Sequence, residues 1–94
     1  MSDIISMKDY GSSLTGREFG KDSFLATYKK YNLPVELDFL DVSSIGSSFA
    51  DEFVAEFAKL QDSKIVILNS NRVVKQCLND VAEEKLLTII YKAN

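Results

Sequence analysis

Apolar and polar positions along this chain follow two periods in turn, and each change of period marks a new element. Asp3 to Met7 carries Ile4, Ile5 and Met7, a short apolar segment that reads as an edge strand. Tyr10-Gly11-Ser12-Ser13-Leu14-Thr15-Gly16 is dense in turn residues and reads as loop. From Arg17 to Tyr31 the spacing turns helical, with a start expected near Lys21 or Asp22. Phe24, Leu25, Tyr28 and Tyr31 then share one face, while Lys21, Lys29 and Lys30 face away. Asn32 is a C-terminal stop and Pro34 forbids continuation.

Val35, Leu37 and Phe39 alternate with Glu36 and Asp38, the period of a strand packed on one face. Leu40-Asp41-Val42 leads into the loop Ser43-Ser44-Ile45-Gly46, and a helix is expected from Ser47 or Ser48 to about Leu60. Phe49, Phe53, Phe57 and Leu60 form its apolar stripe, flanked by Ala50, Val54 and Ala58. After the turn Gln61-Asp62-Ser63, Lys64-Ile65-Val66-Ile67-Leu68 is a near-continuous β-branched run, the pattern of a strand covered on both faces. Asn69-Ser70-Asn71 supplies N-cap residues for a helix from Arg72 to about Asp80, with Val73, Val74, Cys77, Leu78 and Val81 on its buried side. Leu86 to Tyr91 reads as the last strand.

The order is strand, helix, strand, helix, strand, helix, strand. Regular alternation predicts an α/β fold: a mostly parallel sheet of about four strands joined by right-handed crossovers, with three helices. Residues 1–94 fit a single domain, since a chain of this length supports one hydrophobic core.

Composition narrows the function. The net charge of −3 and the scattered basic residues argue against nucleic-acid binding, Lys29 and Lys30 being the one adjacent pair. A single cysteine, Cys77, forms no disulfide framework and reads as a small core hydrophobe. With no histidine and one cysteine, His/Cys zinc sites are out; a carboxylate-only Mg²⁺ site stays chemically open, and no metal or cofactor is expected. The amino terminus lacks the basic and apolar regions of a signal peptide, and no apolar run approaches the ~20 residues of a membrane span. The expectation is a soluble cytoplasmic protein.

The candidate chemistry gathers between Asp38 and Phe53, where a strand ends, a polar loop turns and a helix begins. Ser48 stands three residues before Asp51, close to a capping box, so its hydroxyl is a candidate cap worth ~1 kcal/mol. The same position suits a phosphoserine: added negative charge beside Asp51 and Glu52 would repel a partner docking on an acidic, partly apolar surface. Asp38 and Asp41 read as solvated strand-end residues or turn acceptors. A phosphoryl-accepting role for them, as in response-regulator receivers, lacks the acidic pair needed for Mg²⁺. Arg17 is either a solvated arginine or a partner for a carboxylate or phosphate at the central loop. These residues assemble no nucleophile–base pair, so an enzyme is not expected.

Leu37-Asp38-Phe39, then Val42, then Ile45-Gly46-Ser47-Ser48-Phe49-Ala50-Asp51-Glu52 resembles the signature of the small STAS-like domains of bacteria and phages, whose function is largely unassigned. Arg17-Glu18-Phe19-Gly20 upstream and Asn69-Ser70-Asn71 with Val73-Val74 downstream fit the same pattern, so the resemblance runs from about Gly11 to Val74. It extends to STAS domains proper, including anti-sigma factor antagonists, in which a GHKL-type ATPase acts as serine kinase on an Asp-Ser-Ser-Gly motif. The resemblance implies Ser48, then Ser47, as phosphoacceptor. It also implies that a protein partner, either a GHKL-type ATPase or a transcriptional regulator, docks around Asp38, Asp41, Ser44, Gly46, Phe49, Asp51 and Glu52. Two residues depart from the motif: Gly46 replaces the Asp before the serines and Phe49 the Gly after them.

Three functions are compatible with these residues. The first is a non-enzymatic regulatory interaction module with optional serine control. The second is a domain binding a small anionic or nucleotide ligand at the same loop. The third is a structural subunit of a phage-related assembly. Partner identity and oligomeric state are not encoded in any motif of the chain.

Overall fold

A four-stranded, fully parallel sheet organises the computed structural model, which describes residues 2–93. Its strands are β1 (Asp3–Ser6), β3 (Val35–Asp38), β5 (Lys64–Leu68) and β6 (Thr88–Lys92), in that spatial order. The helices are α1 (Arg17–Thr27), the pair α2 (Ser47–Glu52) and α3 (Val54–Lys59), and α4 (Arg72–Lys85). The pair is one bent helical body. Phe53 sits between its halves at φ −112°, yet Phe53 N–H still donates to Phe49 O and Phe57 N–H to Phe53 O. Among the described residues that leaves three α-helical bodies, as the alternation of elements predicts, beside a single 3-10 turn at Met7–Tyr10.

Neighbours in the sheet are also consecutive in the chain, apart from the short β2 (Ser13–Leu14) and β4 (Ser44–Ile45). Right-handed crossovers that all step in one direction place every helix on the same face. Burial follows this: Ile5, Val35, Leu37, Ile65 and Ile67 turn into the core, while Ile4, Glu36, Val66 and Ile90 lie in register across the other face. The continuous apolar run of β5 predicted cover on both faces; among the described residues, helices cover one.

The core is aromatic along the bent helix. Phe49, Phe53 and Phe57 are fully buried, with ring centroids 5.5 and 5.2 Å apart, and Phe24 meets Phe57 edge-on at 4.9 Å. Such pairs add ~0.5–1.5 kcal/mol each beyond their buried area. Three apolar assignments fail: Leu25 lies off the face that Gly20, Ser23, Phe24 and Thr27 bury, Leu60 and Val73 stand at helix ends, and each is about half exposed. The first helix also begins at Arg17 and not near Lys21, and it buries Gly20, Ser23 and Thr27. Thr27 is satisfied there by a hydrogen bond with the Tyr10 hydroxyl. The last helix runs on to Lys85, past the expected end near Asp80, and closes on Leu86 in the left-handed region at φ 59°. Cys77 is half-buried, and burial pushes its thiol pKa up.

Candidate functional site

The segment from Asp38 to Glu52 lies at the carboxyl edge of the sheet, the edge where ligands and partners meet open α/β folds. It is held from three directions. Residues 10–16, expected to be plain loop, contain β2, which pairs in parallel with β4: Ser13 opposite Ser44 and Leu14 opposite Ile45. Around this miniature sheet, Ser43 N–H donates to Ser12 O at 2.7 Å and Gly46 N–H to Leu14 O at 2.8 Å. The Ser13 and Ser44 hydroxyls lie 2.8 Å apart. Two-residue strands carry almost no periodicity, so no sequence signal marked this pairing.

From the second direction comes the loop after β5. The Asp38 carboxylate accepts from Leu40 N–H at 3.0 Å, closing an Asx turn, and from Asn69 Nδ2 at 3.0 Å. Asn71 does more. Its Oδ1 accepts from Val74 N–H at 2.8 Å and caps α4, while its Nδ2 donates to Val42 O at 3.2 Å and Ser43 O at 3.0 Å. One side chain therefore joins a helix N-terminus to the loop. The sequence marked Asn71 as a cap but carried no sign of its second role.

From the third direction comes α1. Gly20 lies against the backbone of α2, where an added Cβ would meet Phe49 O at 2.8 Å and Phe49 Cα at 3.0 Å. At the open end of this contact Arg17 Nη1 donates to Glu52 Oε2 at 2.7 Å, and Nη2 reaches Asp51 Oδ2 at 3.5 Å. The hydrogen bond to Glu52, seconded by Asp51, raises the Arg17 pKa above its ordinary value. Of the two sequence readings of Arg17, the carboxylate pairing is the one seen, with partners on α2 and not on the loop.

The serines differ from expectation. Gly46, not Ser48, is the N-cap of α2, and no side chain caps that helix. The capping box of Ser48 and Asp51 does not form, because the helix starts at Ser47 and puts both serines inside its first turn. Ser47 is exposed and Ser48 partly exposed. Phe49 was expected among the docking residues, yet it is fully buried, stacking on Phe53 at 5.5 Å and lying 5.4 Å from Phe19. Its ring belongs to the core and offers no surface to a partner. Asp41 is exposed at φ 66°, a turn residue as read, and Ser44 and Gly46 lie in the pinned loop.

Three apolar side chains that were not anticipated as contacts crown this edge. Leu40, Phe19 and Val73 are 50%, 41% and 56% exposed, on the loop, on α1 beside Phe49 and on α4 just past Asn71. Among the described residues, no group of three or more His, Cys, Asp or Glu is placed to hold a metal ion. No helix of the described chain is long and apolar enough to cross a membrane.

A one-sided parallel sheet with a pinned strand–loop–helix at its carboxyl edge defines a small α/β domain of STAS-like architecture. The family model described as "STAS-like domain of unknown function (DUF4325)" matches residues 21–75, more than half of the chain. The chain belongs to that family. The match contains β3, the loop, both serines and Asn71, whereas Arg17 lies just before it. Comparison with curated proteins and with solved structures gave no match.

Proposed function

We propose that this domain is a non-enzymatic regulatory module that docks a protein partner on the Asp38–Phe53 edge. The observation that carries this reading is the combination of a rigidly braced loop with half-exposed apolar side chains around it. Asn71, Asn69 and the β2–β4 pairing fix the loop before any partner arrives, which lowers the ordering cost of association. Leu40, Phe19 and Val73 provide apolar anchors, and Asp41, Ser47 and Arg72 a polar rim. The acidic groups here serve the fold: Asp38 closes a turn, and Asp51 and Glu52 hold Arg17.

Serine control fits the same geometry. Ser48 is one helical turn before Asp51 and Glu52, so all three share a face with Arg17. A phosphoryl group on Ser48 would bring up to two further negative charges beside two carboxylates and would compete with Glu52 for Arg17. A serine kinase of the GHKL ATPase type, or a regulator that reads the modified state, is the proposed partner class, acting in the cytoplasm.

The test recovers a partner from the native host on the tagged wild-type chain and measures its affinity for three full-length chains: wild type, Leu40→Glu and Ser48→Asp. Docking at this edge requires Leu40→Glu to weaken binding at least tenfold with an unchanged melting temperature. Serine control requires Ser48→Asp to do the same. Equal affinity of wild type and Leu40→Glu would remove the docking surface, and equal affinity of Ser48→Asp would remove only the switch.

A further inference from the structure

The sheet face left open by the helices carries a pattern complementary to itself. Its central row is Ile4, Glu36, Val66 and Ile90, one residue from each strand in direct register. Ile4 is 50% exposed and Ile90 43%. Charge divides across the face: Glu36 and Asp38 project from β3, while Lys64 and Lys92 project from β5 and β6. A depression of about 370 Å³ runs from β3 to β6 across this face, with Pro34, Glu36, Lys64, Val66, Ile90 and Lys92 among the residues that line it. Ile4 stands outside it, on the opposite edge strand.

We propose that this open face is the interface of a homodimer in which two copies pack sheet on sheet about a two-fold axis parallel to the strands. That operation lays β3 over the partner's β5, and β1 over the partner's β6. It sets Ile4 against the partner's Ile90 at the mouth of the depression, and Glu36 and Asp38 beside the partner's Lys64 and the partner's Lys92. The contact is isologous, so every pairing occurs twice. A two-fold perpendicular to the strands would instead lay β3 over itself and oppose like charges. Charge complementarity therefore selects both the occupant, a second copy, and its orientation. The sequence of β5 agrees, since Ile65-Val66-Ile67-Leu68 has the composition of a strand covered on both faces. Four strands at ~4.8 Å spacing make a face about 19 Å wide, so the interface is small and the dimer dissociates on dilution.

Sedimentation equilibrium of the full chain from about 5 to about 500 µM tests this, the range expected for an interface at the small end of the scale. The apparent mass should rise from 10.5 kDa toward twice that value, and less so at high salt. Ile90→Asp, Lys64→Glu and Glu36→Lys should each weaken association at least tenfold while far-UV circular dichroism and melting stay as in wild type. An equimolar mixture of the Lys64→Glu and Glu36→Lys chains should associate again, because one of the two symmetry-related charge pairs is then native and the other is restored with reversed polarity. A wild-type mass of 10.5 kDa throughout the range overturns the proposal. So does a dimer unaffected by these substitutions, or a mixture that fails to recover.

Discussion

Gly20 and Phe49 meet backbone to backbone: a Cβ at position 20 would lie 2.8 Å from the Phe49 carbonyl oxygen, closer than real Cβ contacts come. This approach fixes the distance between α1 and α2 and so the placement of Arg17 over Asp51 and Glu52. Because the obstacle is main chain, it cannot swing aside as a side chain would. Gly20→Ala should destabilise the domain by about 1–3 kcal/mol through overpacking, despite the better helix propensity of alanine. A thermal melt checks it, with a fall in Tm of roughly 4–8 °C per kcal/mol for a domain of this size. An unchanged Tm would show that the two helices separate freely.

Asn71 should prove costly to replace for an exposed residue. Asn71→Ala removes the cap on Val74 N–H and leaves Val42 O and Ser43 O without that donor, a loss of about 2 kcal/mol. Asn71→Asp keeps the cap acceptor but has no Nδ2 to donate. It should therefore recover helix stability while hydrogen exchange across residues 40–46 stays faster than in wild type. Slow exchange there in both variants would mean that the β2–β4 pairing alone holds the loop.

One substitution should stabilise. Leu86 ends α4 in the left-handed region, at φ 59° and ψ 48°, with 84% of its surface exposed. A leucine is strained there by roughly 1 kcal/mol and gains little from burial. Leu86→Gly should raise Tm by a few degrees, which differential scanning calorimetry will register. A lower Tm would place Leu86 in contacts that outweigh its backbone strain.

Tyr91 gives the domain a pH dependence on the alkaline side. Burial, with the nearby Cys77, pushes its pKa up to about 12, and its hydroxyl donates to Asn79 Oδ1 at 2.6 Å. In the unfolded chain the phenol releases its proton near pH 10. Between about pH 10 and about 12 the unfolded state thus holds fewer protons than the folded one, and stability falls as pH rises. Tyr91→Phe should flatten this decline and remove the last-titrating phenol from an absorbance titration at alkaline pH. An identical decline in that variant would assign it to another group.

The sheet and its crossovers were legible because β3, β5 and the phenylalanine stripe of residues 49–57 carry strong periodic signals. Leu25 falls off the face that Gly20, Ser23 and Thr27 set, small or polar residues that the apolar pattern did not mark, while Leu60 and Val73 stand at helix ends, where the period alone does not show burial. The pairing of Ser13 with Ser44 joins segments 31 residues apart that have no β pattern of their own. Ser48 looks like a cap by spacing, but an extended Gly46 at ψ 153° takes the cap and starts the helix two residues earlier. Around the candidate site, residue type and position were enough to read Asp41 as a turn residue and Arg17 as a partner for carboxylates. The exposure of Leu40 and Phe19 was not legible, because an exposed apolar residue and a buried one look alike in sequence.

The most direct measurement is a quantitative affinity pull-down from the native host, run in parallel with wild type, Leu40→Glu and the open-face variant Ile90→Asp. Mass spectrometry would identify every retained protein and read the Ser43–Lys59 peptide. The account predicts a distinct partner held by wild type and Ile90→Asp and lost by Leu40→Glu, with phosphate on Ser48 depleted from the bound fraction. A partner held equally by all three, or recovery of nothing beyond the chain itself, would contradict a docking role for the Asp38–Phe53 edge.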